Sequence, residues 1–415
     1  MKSQQNEFNI IFVAYNYYKE DLPSWPGVNS VYCNYLPEYG ANVELLLSAD
    51  QHHFEKKKFL NATLSLIPNP YYDKFSRRIL SILRFNISLL LYLAKKLKKE
   101  RISIIQFRND VPSAVIGLIL GKIYKVPCVF NYDSPLGYFV ELYSKEKLFR
   151  GVRRIIWKYS MFLFEKVFLK NFDFVLPITH EYKKDLKSLG IPMEKMTPFP
   201  LGIDPKLFQN NLEKLRERLG LSPFDIVFIY VGSITKQRHL ENVLIPFSRI
   251  IQVNPNVKLV FVGDGDAKTE LEELAKHLNI DSSVFFVGRV PYIEVPCYIK
   301  LADFGVSLLP PVNAYRVSSP CKVFEYLYSK VLPIVNIEIP EQKEAIIEGK
   351  AGIPTIYDQE KIKAAFLEAI YLKTKNLKTY KKMQHLAQKT VVERRHFKKL
   401  AERIFHSYLK ILEGL

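Results

Sequence analysis

Among the 415 residues, Lys322 and Glu325 are the side chains whose types and spacing point most directly to chemistry. They lie in the stretch 316–335, which reads as a loop opening a short helix, followed by a buried strand. Ser318 and Ser319 are helix-capping residue types, and Pro320 suits a first helical position because its missing N–H would go unpaired there anyway. The cap is therefore expected at Ser319. A helix starting there aims free N–H groups and a positive dipole end at whatever lies in front of it, and Lys322 adds a full charge. This is an anion pocket, most naturally for phosphate. Glu325 returns to roughly the same helix face and offers a carboxylate that can accept two hydrogen bonds from a sugar-like diol. The competing reading is an ordinary i,i+3 surface pair.

The flanking elements favour the pocket. Residues 301–310 look like a helix end feeding a buried strand, and 332–336 like the next strand, so the loop falls where α/β folds place ligands. Upstream, apolar strands at 226–231, 257–262 and 284–287 end in Gly232-Ser233, Gly263-Asp264-Gly265 and Gly288-Arg289-Val290. Glycine at a strand end lets a ligand approach the backbone. Three such ends in succession, with Arg238 and Lys322 available for charge, point to a nucleotide diphosphate site.

The first half alternates strands (9–14, 42–47, 102–107, 126–132, 174–178) with helices, including one at 30–39, in the βαβ order of a parallel sheet. Its loops Arg108-Asn109-Asp110 and Asp133-Ser134-Pro135 share one sheet edge. Asp110 or Asp133 could orient an acceptor hydroxyl there, or merely cap a helix.

The chain's length suits two domains. With 48% hydrophobic and 25% charged residues, the composition is that of a folded protein. Cys33, Cys128, Cys297 and Cys321 are widely spaced with no C-x-x-C, which argues against zinc or a disulfide framework and for a reducing cytoplasm. The N-terminus lacks a signal peptide's layout, and the apolar run 87–94 is too short to span a bilayer. The expected location is cytoplasmic, with peripheral attachment to the inner membrane face left open.

Net charge is +18, and it is uneven: residues 71–101 carry nine basic against two acidic side chains, and 141–170 eight against three. Residues 148–158, including Arg150, Arg153, Arg154, Trp157 and Lys158, have the composition of a basic amphipathic helix lying on an anionic membrane. The alternative is a core-packed helix with solvated lysines. No nucleic-acid-binding signature accompanies the charge, and nucleic acid is not an expected partner.

As a set, Gly232-Ser233 through Arg238, Gly263-Asp264-Gly265, Gly288-Arg289-Val290-Pro291, Ala302-Asp303 and Ser318-Ser319-Pro320-Cys321-Lys322-Val323-Phe324-Glu325, with residues 172–179 and 198–204, resemble the retaining nucleotide-sugar glycosyltransferases of glycosyltransferase family 4. The resemblance implies the GT-B fold, an α/β architecture of two Rossmann-like domains facing each other across a cleft. The expected divisions are an acceptor-binding domain at 1–202, a nucleotide-sugar domain at 203–385, and a last helix within 386–415 returning to the first domain. It implies a UDP- or GDP-sugar donor, no required cofactor or metal, and a glycan, glycolipid or lipid-linked acceptor such as a cell envelope glycan. Arg238 and Lys322 would neutralise the departing diphosphate, Glu325 would bind the ribose, the backbone at Gly288, Arg289 and Val290 would meet the base, and Ser318, Ser319, Pro320 and Cys321 would hold phosphate and sugar. Gly27 takes the place of the family's first-loop glycine pair. Of the family's two glutamates only Glu325 is present, with Val317 at the other position, and the loop 106–110 lacks the family's histidine. Two other readings stay open: a nucleotide-sugar epimerase of the same fold, and a catalytically silent sugar-nucleotide-binding subunit.

Overall fold

The computed structural model describes residues 8–18, 26–69, 75–143, 152–209 and 214–414. Of the basic stretches, Lys74, Lys145, Lys147 and Arg150 lie outside these residues, as do the Arg77, Arg78 and Arg153 side chains. The chain forms two compact units, Met1–Pro200 with Phe397–Leu415, and Leu201–His396.

The first unit is built on a seven-stranded sheet in the order β3-β4-β2-β1-β5-β6-β7. Its strands are β1 (Phe8–Tyr18), β2 (Ala41–Ala49), β3 (Glu55–Phe59), β4 (Ala62–Pro68), β5 (Ile104–Arg108), β6 (Cys128–Tyr132) and β7 (Phe174–Pro177). All neighbours are parallel except β3, which pairs antiparallel with β4 at the edge. Parallel strands buried on both faces read as continuous apolar runs, and β1, β2, β5, β6 and β7 follow that rule. The β3–β4 hairpin breaks it and is absent from the sequence reading. The helix expected at 30–39 is a π-helical segment, Asn29–Tyr35, continued by a short α-turn, Leu36–Glu38.

The last helix, Phe397–Glu413, belongs to this unit's core. Phe397, Leu400, Ala401, Ile404 and Tyr408 pack with Phe12, Tyr32, Leu45 and Leu66. The Gln106 side chain bridges inside the core, donating to Tyr32 Oη at 2.6 Å and accepting from the Tyr408 hydroxyl.

The second unit carries a six-stranded, wholly parallel sheet in the order β10-β9-β8-β11-β12-β13. The strands are β8 (Ile226–Val231), β9 (Val257–Val262), β10 (Val284–Gly288), β11 (Phe304–Ser307), β12 (Leu332–Asn336) and β13 (Ile353–Thr355). The order reverses between β8 and β11, which makes that boundary the topological switch point where open α/β sheets bind ligands. Beneath it Phe228 packs against Phe304, Phe247 and Phe366, at centroid distances of 5.3, 5.8 and 5.1 Å. Such aromatic pairs contribute about 0.5–1.5 kcal/mol each beyond their buried area.

Candidate active site

The helix carrying Lys322 and Glu325 runs Cys321–Tyr328 and starts one residue later than the capping residues suggest. Pro320 is the N-cap, with ψ 102°, and no side chain caps the helix. Ser319 does not cap because its hydroxyl is committed elsewhere: it accepts the Leu201 N–H at 3.1 Å and donates to Glu341 Oε1 at 3.1 Å. Ser318 donates to the Tyr315 carbonyl at 2.7 Å. The Ser318 hydroxyl therefore shapes the loop itself, and the Ser319 hydroxyl anchors it to Leu201 and Glu341.

Tyr326 sets the register of this helix. Its hydroxyl accepts the Val231 N–H at 2.9 Å and donates to the Ile229 carbonyl at 3.3 Å, both in β8. A Cβ on Gly305 would stand 2.2 Å from the Tyr326 ring, so glycine in β11 makes room for it. The loop after β11 is clamped from β12, where Asn336 accepts the Leu309 N–H at 2.9 Å and donates back to the Leu309 carbonyl at 3.0 Å. With the helix fixed this way, Lys322 and Glu325 are both buried, 7% and 3% exposed, which excludes the surface-pair reading.

Lys322 Nζ lies 3.7 Å from the centroid of the Tyr230 ring and has no hydrogen-bond partner among the described residues. Burial, reinforced by the Arg238 charge, pushes its pKa well below the usual lysine range. A buried ammonium with no acceptor is costly, and a native structure keeps such a group where something else supplies the acceptor. The backbone opens toward it at Gly232, φ 134°, where a Cβ would stand 3.2 Å from Nζ. Arg238, in the turn Lys236–Arg238 after β8, lies over the Tyr315 ring at 4.7 Å and has no carboxylate partner among the described residues. The switch point thus gathers two cations, neither of them in an ion pair among the described residues, with the Glu325 carboxylate acting on Lys322 only at longer range.

Glu325 accepts a hydrogen bond from the Tyr292 hydroxyl at 2.7 Å. Burial raises its pKa, opposed by that bond and by Lys322. Tyr292 and Tyr230 are absent from the sequence reading. Tyr292 could have been suspected from its place just after Gly288-Arg289-Val290-Pro291, whereas nothing distinguishes Tyr230 within an apolar strand.

The strand-end glycines divide into two kinds. A Cβ on Gly263, φ 148°, would stand 1.9 Å from the Gly232 carbonyl oxygen, and one on Gly265 would stand 2.2 Å from that of Ile234. What lies on the Cβ side of these two glycines is the backbone of the neighbouring loop. A Cβ on Gly288, φ 86°, would meet only Lys268 Nζ, at 3.9 Å; Arg289 and Ser233 are exposed and Val290 is half-buried. Cys321 is a free thiol whose pKa burial pushes up to about 12. Val317 is fully buried, as its apolar character requires.

In the first unit, Asp133 is paired with Arg108 Nε at 2.5 Å and accepts from Asn109. Asp110 precedes the helix Val111–Tyr124 without capping it through its side chain, and instead accepts from the Ser113 hydroxyl. Burial raises the Asp110 pKa to about 6. Gly27 is buried in the short turn Pro26–Val28 that enters the π-helix. Among the described residues no group of three or more His, Cys, Asp or Glu is arranged to hold a metal ion.

Two family models match the chain: one described as Glycosyltransferase Family 4 over residues 32–207, the other as Glycosyl transferases group 1 over residues 211–390. The alpha-monoglucosyldiacylglycerol synthase of Streptococcus pneumoniae is 27% identical over 216 residues, which is 51% of this chain and 47% of that protein. The chain therefore spans about half the length of that curated relative. Sucrose-phosphate synthase from Thermosynechococcus elongatus has the same fold, with a TM-score of 0.76 at 15% identity over 98% of this chain and 100% of that one. Anabaena HepE, solved in complex with UDP-glucose, matches with a TM-score of 0.68 at 14% identity and the same coverage.

Proposed function

Since the chain belongs to the GT-B glycosyltransferases of family 4, we propose that it transfers a sugar, with retention, from a nucleotide-diphosphate sugar to a hydroxyl of a glycan, glycolipid or lipid-linked acceptor. The observation that carries this reading is the buried Lys322 ammonium, left without an acceptor at the switch point beside Arg238. A diphosphate supplies the missing acceptor. As the glycosidic bond to the diphosphate breaks, negative charge grows on the leaving phosphate, and fixed cations stabilise that charge more than they stabilise the bound ground state. Glu325 takes the ribose diol, exchanging its bond from Tyr292 for bonds from the sugar. The departing phosphate accepts the acceptor's proton on the face it leaves, so no strong base is needed. Asp110 orients the acceptor hydroxyl better than Asp133 can, because Arg108 and Asn109 already occupy the Asp133 carboxylate. UDP is the favoured donor base, by analogy with the UDP-glucose that Anabaena HepE binds. Lys322→Ala should lower turnover by roughly 10² or more, the scale of losing one electrostatic donor. Near-full activity in that variant would remove Lys322 from the site.

The first unit's surface supports the acceptor class, as does the glycolipid in the streptococcal relative's name. Along the helix Val152–Leu163, Ile155, Ile156, Trp157, Tyr159, Phe162 and Leu163 are exposed, with exposed Arg154 and Lys158 among them. The helix Phe75–Lys99 likewise exposes Leu80, Leu83, Ile87 and Leu91, at helical spacing, with exposed Arg84 and Lys95. Apolar side chains interleaved with cations fit an anionic lipid surface, which takes the first into its acyl boundary and pairs the second with headgroups. No helix among the described residues is long and apolar enough to cross a membrane. Vesicles containing phosphatidylglycerol should carry the protein on flotation, while phosphatidylcholine vesicles should not. Ile155→Ser with Trp157→Ser, or neutralising Arg154 and Lys158, should abolish flotation. Flotation indifferent to anionic lipid, or self-association through these helices without lipid binding, would overturn this part of the reading.

A further inference from the structure

Ser319 stands between the anion site and the places where the chain passes from one unit to the other. The outgoing passage lies at Pro200 and Leu201 and the return at His396 and Phe397. The Leu201 N–H donates to Ser319 Oγ at 3.1 Å, and the Ser319 hydroxyl donates to Glu341 at 3.1 Å. Glu341 in turn pairs with Arg395 at 2.7 Å, and the Arg395 guanidinium lies over the ring of Phe324, in the site helix, at 4.6 Å. The two passages meet where the Ile203 N–H donates to the Arg395 carbonyl at 2.8 Å and Ile203 bridges to His396. Ser319 and Glu341 are 5% and 4% exposed, so water does not readily replace these contacts.

We propose that Glu341 and Arg395 are positioning residues that tie the anion-site loop to both passage segments, so that occupation of the site and the conformation of those segments bias each other. This rests on the donor site proposed above. The physical requirement is a set of contacts that differ between the occupied and empty loop, and Ser319 is placed to transmit that difference. It sits three residues before Lys322, and its hydroxyl is committed to the tie. Coupling of this kind is reciprocal: a change at the passage segments must alter affinity at the loop by the same factor.

Hydrogen exchange of the full chain tests the tie, comparing wild type, Glu341→Gln and Ser319→Ala, each alone and with millimolar UDP, GDP or ADP. Without nucleotide, Glu341→Gln should speed exchange in segments 198–206 and 392–398 together with the loop 313–322, while β8 and β12 stay unchanged. Ser319→Ala, which leaves the Glu341–Arg395 pair in place, should do the same and serves if Glu341→Gln does not fold. With nucleotide, the wild type should gain protection in the loop and in both passage segments, and either variant in the loop alone. Faster exchange confined to the surroundings of the substituted residue, or spread over the whole unit, overturns the proposal. So does nucleotide protection of the passage segments that survives both substitutions. If no nucleotide protects the wild-type loop, the donor-site reading fails, while the ligand-free comparison still decides the tie.

Discussion

Lys322 is held in a state that costs stability, and that cost can be measured. Its pKa in the folded chain lies well below the usual lysine value of about 10.4. The unfolded chain therefore binds more protons than the folded one between those two values, and stability falls as pH drops through that window. Lys322→Met should raise the melting temperature, with a gain that grows as pH falls from about 10.4 toward the depressed value, while turnover is lost. A bound diphosphate should raise the Lys322 pKa again, so nucleotide binding takes up protons and weakens as pH rises through the free-site value. Calorimetry in buffers of different ionisation heat reads that uptake directly. Asp110 carries the opposite sign. Its pKa is raised to about 6, so its contribution is full below the unfolded carboxylate value and is lost as pH rises through about 6. Asp110→Asn should melt higher than wild type at alkaline pH, show no gain at pH near 4, and turn over more slowly if this carboxylate orients the acceptor. The residue types at this site were legible in the sequence, since Lys322, Glu325 and Arg238 are the charges that a loop between buried strands has to offer. Their surroundings were not. A Lys-x-x-Glu spacing is the same on a buried helix as on an exposed one, and neither Tyr230 nor Tyr292 differs in type from the other tyrosines of an aromatic-rich chain.

At the scale of elements, the strand-end glycines are steric necessities of unequal severity. Gly263→Ala would force a Cβ to within 1.9 Å of a backbone oxygen at a positive φ, and should cost on the order of 3 kcal/mol. Gly288→Ala meets no atom closer than 3.9 Å, and should cost only the left-handed backbone strain of about 1–2 kcal/mol. Denaturant titration of the two variants separates the cases, and equal losses would contradict the contact assigned to Gly263. Strands β8, β9 and β12 coincide with the apolar runs read from the sequence because parallel strands buried on both faces leave no ambiguity of period. The β3–β4 hairpin escaped because Glu55-Lys56-Lys57-Lys58-Phe59 reads as a polar loop; it is an edge strand, where lysines discourage pairing with other chains. The site helix began later than expected because capping competes with other uses of a serine hydroxyl, and the partners of Ser319, Leu201 and Glu341, are distant in sequence.

The two helices that interleave exposed apolar side chains with cations, Phe75–Lys99 and Val152–Leu163, lie in the first unit, and the buried Lys322, without a hydrogen-bond partner among the described residues, lies in the second. The alternation of strands and helices made the two α/β halves legible. The membership of the helix Phe397–Glu413 in the first unit's core rests on contacts that no local pattern announces. Ile404→Asp would put an unpaired carboxylate among Phe12, Leu45 and Tyr408, and should destabilise the first unit by about 3–5 kcal/mol while leaving nucleotide binding in the second unit intact. Loss of both together would contradict the division of labour. In the proposed donor site, Lys322 takes the diphosphate of a sugar nucleotide as its missing acceptor. The direct measurement is the melting temperature of wild type and Lys322→Ala with UDP, GDP and ADP, since a ligand at a hundredfold excess over its Kd stabilises the folded state by about 2.7 kcal/mol. One of the three should raise the wild-type melting temperature and leave that of Lys322→Ala nearly unmoved. Equal shifts in both proteins, or none in either, would contradict the claim.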